Sequence, residues 1–148
     1  MSTTNILKLT SPAAYLLIPC SNLQRPYLLK MASNQAENLK LANACLFVFA
    51  IRDDEERTKT TKEIFHPDIV MYEADRVNTG YNGLEARMQE LIAGNDFGFQ
   101  AAGKPVENHG LTVADWTFGP SGGEPVLSGT DITFAEDGKI RKLWVNFK

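Results

Sequence analysis

The stretch from Pro125 to Phe147 constrains this chain most. Two alternating runs flank Asp137-Gly138, a pair that favours the positive φ values of a tight hairpin turn. A carboxylate, Asp131, stands inside the first of the two strands. On a wet face it costs little. On a dry face it costs several kcal/mol unless it is paired, protonated or used.

The rest of the chain reads as helices first and strands after. Asn34 with Glu37 has the spacing of a capping box and opens a helix predicted over Gln35 to Ile51, whose second half, Ala44 to Ile51, is apolar on every face. Asp53 with Glu56 repeats the cap and opens a second helix, ended by Pro67. Asn82 with Glu85 opens a third, in which Leu84, Met88, Leu91 and Ile92 form one buried stripe and Gly94 closes the helix. A strand from Asp68 to Asp75 lies between the second and third helices, with Ile69, Met71 and Glu73 on one face and Val70, Tyr72 and Ala74 on the other. Strands over 97–100 and 110–118 precede the hairpin, with a loop from Gly119 to Pro125. This order predicts an α+β domain with three helices on one face of a curved antiparallel or mixed sheet.

With 148 residues, 43% of them apolar, residues 34–148 suffice for one domain with its own core. Residues 1–33 read as an N-terminal extension outside the fold: Lys8, Arg25 and Lys30 are unopposed by any acid up to residue 36, and Pro12, Pro19 and Pro26 interrupt the segment. A disordered tail and an organellar transit segment are both open readings. The remainder carries 12 basic against 18 acidic residues, net −6, which argues against nucleic acid and anionic membrane as partners. Cys20 and Cys45 suggest no disulfide framework, and reduced thiols fit a cytoplasmic setting. Metal-ligand spacings, phosphate-binding glycine loops and nucleophile elbows are absent from the sequence, so neither a metal nor a cofactor is expected.

Phe65-His66-Pro67-Asp68-Ile69-Val70, Thr79-Gly80, Trp116-Thr117-Phe118-Gly119-Pro120, and Gly129-Thr130-Asp131 leading into Glu136-Asp137-Gly138-Lys139-Ile140 together resemble the SnoaL-like branch of the NTF2-like superfamily. The resemblance covers about residues 34–148. It implies a cone with an apolar pocket between helices and sheet, usually dimerising through the sheet. The superfamily includes ketosteroid isomerase, polyketide cyclases and non-catalytic carriers, so the resemblance carries fold further than reaction. It implies Glu73 as catalytic base, with Asp75 the second choice, and Asp131 as the protonated acid or oxyanion donor. A one-residue slip of register would bring Thr130 into the pocket instead. The tyrosine of the isomerase's oxyanion hole has no counterpart among Cys45, Phe47 and Phe49.

Two carboxylates in an apolar cavity can separate in pKa and divide acid and base roles, as the type case of ketosteroid isomerase illustrates. His109 is a possible third polar group, and Met71, Trp116, Phe118, Leu143 and Phe147 are expected walls for an apolar polyketide-, terpenoid- or steroid-like molecule. Plainer roles stand beside these. Glu73 can face Arg76 or Arg87 as a surface pair, Asp131 can pair across the sheet with Lys142 or His109, and His109 can be a loop residue. Trp144, on the face opposite Leu143 and Val145, suits a homodimer interface. The alternative to an isomerase, cyclase or dehydratase is a non-catalytic carrier or dimerising module.

Overall fold

The computed structural model describes the backbone of residues 24–148 and the side chains of residues 34–148. The transit-segment reading of the first 23 residues, Cys20 included, lies outside the described residues.

The first helix, α1, spans Gln24–Val48. It starts ten residues before Asn34, so Asn34 and Glu37 lie within the helix rather than capping it. No glycine or proline interrupts 27–48, and each interior asparagine (Asn34, Asn38 and Asn43) costs only about 0.7 kcal/mol of helix propensity. Pro26 sits in the first turn, where its missing N–H has no intrahelical acceptor to lose. The apolar half of α1 is covered as expected except at Phe47, which is half exposed.

Helix α2 spans Asp54–Ile64. The Asp53 side chain accepts the Glu56 N–H at 2.8 Å, and Asp54, Glu55 and Glu56 occupy the positive end of the helix dipole. The helix stops before Pro67 is reached: Phe65 is already extended (φ −102°, ψ 148°), and the proline confines His66 to extended backbone as well. Strand β1 therefore spans Phe65–Tyr72, earlier than the pattern predicts, with an irregular register between Phe65 and Val70. A short strand β2, Val77–Thr79, leads into α3, Gly80–Ile92. Thr79, not Asn82, is the N-cap residue of α3, and makes no side-chain cap bond. Glu85 is unavailable for a capping box because it accepts from Arg57.

Strands β3 (Gly98–Ala101), β4 (Val106–Asn108), β5 (Leu111–Gly119), β6 (Leu127–Glu136) and β7 (Lys139–Phe147) complete the sheet. Its order is β2-β1-β7-β6-β5-β3, with β4 also on β5. Only β1 and β7 run parallel; the other pairs are antiparallel. The β6–β7 turn forms as predicted: Asp137 (φ 51°) and Gly138 (φ 74°) are both left-handed, as a type I′ turn demands.

One buried cluster joins Cys45 and Val48 of α1 and Phe49 just after it to Phe65, Ile69, Met71, Leu84, Met88, Ile140 and Leu143. A second joins Leu46 to Trp116 and Phe118. Phe99 and Val145 pack against both, and the candidate site lies where the two clusters meet.

Candidate functional site in the cone

The concavity between the helices and the inner sheet face draws its walls from all its surroundings. Leu46 and Phe49 come from α1 and the turn that follows it, Met71 and Glu73 from β1 and its end, Arg87 and Leu91 from α3, and Phe99, Trp116, Phe118, Leu127, Asp131, Val145 and Phe147 from the later strands. Counted out to the solvent at its mouth, the concavity holds about 410 Å³ of empty space. Leu127 and Phe147, each nearly half exposed, mark that mouth. A small organic ligand needs a few hundred Å³, so it would occupy the whole concavity and lean on these two rim residues.

Asp131 is the chemically unusual group. Strand alternation turns Gly129, Asp131 and Thr133 inward and Thr130 outward, where the Thr130 hydroxyl donates to Asp115. Asp131 is 8% exposed. Its Oδ1 accepts the Trp116 indole N–H at 2.7 Å, and its Oδ2 makes no hydrogen bond within the described residues. Burial pushes the carboxyl up to about 7, the Trp116 N–H opposes the rise, and the Glu73 charge adds to it. Cys45, fully buried on the helix side, is raised by its own burial and then by the Asp131 charge.

Gly129 makes the Trp116–Asp131 bond possible. It is the direct cross-strand partner of Trp116, and a Cβ at Gly129 would stand 2.8 Å from the indole Cε2 and 2.7 Å from the Asn146 carbonyl oxygen. With no side chain there, the indole packs against the Gly129 backbone and its N–H reaches the carboxylate two residues on.

Glu73 is equally buried but differently held. Its side chain is 2% exposed and accepts from Arg87 Nε at 3.0 and 2.9 Å, from Arg87 Nη2 at 2.8 Å and from Asn78 Nδ2 at 3.1 Å. This is a bidentate, charge-assisted pair inside the cavity wall, not a solvated strand-end charge.

No family model matches the sequence, and no curated protein matches it. Solved structures do. A protein from Agrobacterium tumefaciens assigned as an isomerase of the SnoaL-like family superposes with TM-score 0.68 at 20% identity, over 76% of this chain and 98% of its own. A protein from Jannaschia sp. CCS1 assigned as a SnoaL-like polyketide cyclase gives 0.64 at 11% identity, over 77% and 87%. An LEH-like epoxide hydrolase from M. tuberculosis gives 0.60 at 12%, over 78% and 85%. This chain has the SnoaL-like, NTF2-like fold. At such identities the likeness is one of architecture, and three differently assigned activities share it.

Within the SnoaL-like cone, the structure brings together most of the residues expected from the sequence. Glu73, Asp131, Met71, Trp116, Phe118 and Phe147 all border the concavity. His109 does not: it is exposed in the β4–β5 turn with φ 52°, because the turn between those strands needs a left-handed residue beside Gly110. Leu143 does not either. It is completely buried in the core cluster with Ile69 and Met71, so the sheet's inner face supplies Val145, two residues along, as the wall. Asp75 is largely exposed and pairs with Arg76. Arg87 was legible as a partner of Glu73 but not as a wall of the site. Its spacing offered a signal, since 84, 87, 88 and 91 share one helix stripe and a charged residue in an apolar stripe needs a buried partner.

Proposed function

We propose that this chain binds an apolar small molecule in the cone and moves a proton on it without a cofactor, in an isomerisation, cyclisation or dehydration of a polyketide-, terpenoid- or steroid-like compound. The observation that carries this reading is Asp131: a buried carboxyl on the wall of an aromatic concavity, pushed up to about 7 by its burial, with one oxygen bonded to the Trp116 N–H and the other without a hydrogen bond among the described residues. A group whose pKa lies near the working pH is the most effective acid–base catalyst. The base role expected of Glu73 passes to Asp131 in this reading, because every Glu73 oxygen already accepts from Arg87 or Asn78. Glu73 then acts by its charge, keeping the Asp131 proton affinity high.

The folded protein is expected to bind one equivalent of an apolar fluorophore such as anilinonaphthalene sulfonate per chain, released by any true ligand. Failure of the folded protein to bind it would favour the second reading, a carrier or dimerising module whose pocket its own side chains fill.

The outer sheet face supports a homodimer. Registered neighbours place Val77, Tyr72, Trp144, Ile132, Val113 and Val106 in one apolar row across six strands, roughly 24 Å long at the usual strand spacing. Tyr72 and Trp144 stack at 5.4 Å, while Val77 and Val106 are more than half exposed. A contiguous apolar row on a sheet face is the kind of surface that marks an interaction site. Trp144→Asp should convert a dimer into a monomer by light scattering; a parent that is already monomeric at micromolar concentration would remove the interface.

A further inference from the structure

We propose that Arg87 receives an oxygen atom of the ligand, so that the cone selects planar, weakly acidic oxygen compounds (phenols or enolisable carbonyl compounds) over hydrocarbons and ethers of the same shape. This deepens the reading of Asp131 given above and rests on it.

Among the described residues, Arg87 is the one cationic side chain in the cavity's walls. A guanidinium carries five N–H donors. Nε and one Nη2 hydrogen serve Glu73, and one Nη1 hydrogen serves Glu90 at 3.1 Å. Two N–H groups therefore meet no protein acceptor among the described residues, and the apolar side chains that dominate the walls offer none. A ligand oxygen would satisfy one of them, whereas an apolar ligand would strand it. The guanidinium is also held in place, because Glu73 is itself fixed by Asn78. Donors pre-set in this way stabilise charge that develops on a substrate at little cost in reorganisation.

The charges in the wall set the proton count. Arg87 and Asn78 occupy both Glu73 oxygens, which leaves Asp131 as the group that gives or takes a single proton. When an acidic C–H or O–H proton moves to Asp131 Oδ2, the electron pair of the broken bond passes to the ligand oxygen held by Arg87. Return of the proton at another atom completes the transfer, with no further reactant. A phenol stops at the first half of this sequence, and so reports on the site without turnover.

The test compares 4-nitrophenol with its methyl ether, 4-nitroanisole, on the full chain. The parent is expected to prefer the phenol by about tenfold or more, the ratio that one charge-assisted hydrogen bond supplies, and the bound phenol should absorb as the phenolate. Glu73→Gln with Arg87→Gln removes both charges together and leaves no uncompensated ion; the preference should vanish. If that double variant does not fold, Arg87→Lys keeps the charge but loses the fork, and the preference should fall at least threefold. Equal binding of the two probes by the parent overturns the proposal, as does an undiminished preference in the folded variant. If neither probe binds while the apolar fluorophore does, only the Arg87 assignment fails. If the fluorophore fails too, the pocket reading fails with it.

Discussion

Asp131→Asn is expected to abolish turnover and yet leave the protein more stable than the parent at pH 8. The sign follows from the direction of the shift. Folding raises the Asp131 carboxyl from an ordinary 3.8 to about 7, so the native state holds its proton more tightly than the unfolded chain does. That contribution is fully present below about pH 4 and is lost as pH rises through about 7. Above that the buried carboxylate costs roughly 4 kcal/mol at 1.36 kcal/mol per pKa unit. Asparagine removes the ionisation and keeps an oxygen for the Trp116 N–H. The stability gain should therefore appear at pH 8 and shrink towards pH 5, read by urea denaturation at each pH. For the parent acting as a base, the rate should rise with pH through a midpoint near 7. A variant equally destabilised at every pH, with turnover intact, would make Asp131 a structural residue.

Arg57→Ala should cost about 3–4 kcal/mol, the largest stability loss expected from a single surface-distant substitution here, with no direct contact to the cavity. Arg57 is completely buried. It ties three elements together: Nε donates to Glu85 of α3 at 2.9 Å, Nη1 to the Ile51 carbonyl beyond α1 at 2.9 Å, and Nη2 to Asp54 of α2 at 2.6 Å. Truncation leaves a void, a carboxylate without its partner and a carbonyl without a donor, and breaking one side of such a network typically costs this much. Arg57→Lys should recover only part, because an ammonium cannot reproduce the fork. Thermal or urea unfolding within 1 kcal/mol of the parent for Arg57→Ala would show that Glu85 and Asp54 are satisfied by solvent instead.

Asp131 and Arg57 show where the sequence ran out. Alternation in the hairpin, the Asp137-Gly138 turn, the Asp53 cap and the apolar half of α1 are local signals, each written within a few residues, and the structure follows them. The start of α1 was hidden because a weak cap lay inside an uninterrupted run of helix formers. The early end of α2 was hidden because a core requirement at Phe65 preceded the proline. His109, read as a polar group, and Leu143, read as an apolar wall, carry no local signal of how deep in the fold they lie. One lies in the exposed turn at the end of its strand. The other sits too deep in the core.

The sequence by itself determined the α+β order, the cone-forming hairpin and the presence of an acid within its first strand, since periodicity and turn chemistry act over short spans. Only the tertiary structure decided what that acid is. The register that turns Asp131 inward, the bare Gly129 that lets Trp116 reach it, and the Arg87 that occupies Glu73 all bring together residues 14 or more positions apart or on different strands. Desolvation and pairing, which set proton affinity, depend on what surrounds a carboxyl in space. In this chain burial raises the proton affinity of the carboxyl in the hairpin, while Arg87 and Asn78 occupy the oxygens of the one at the strand end.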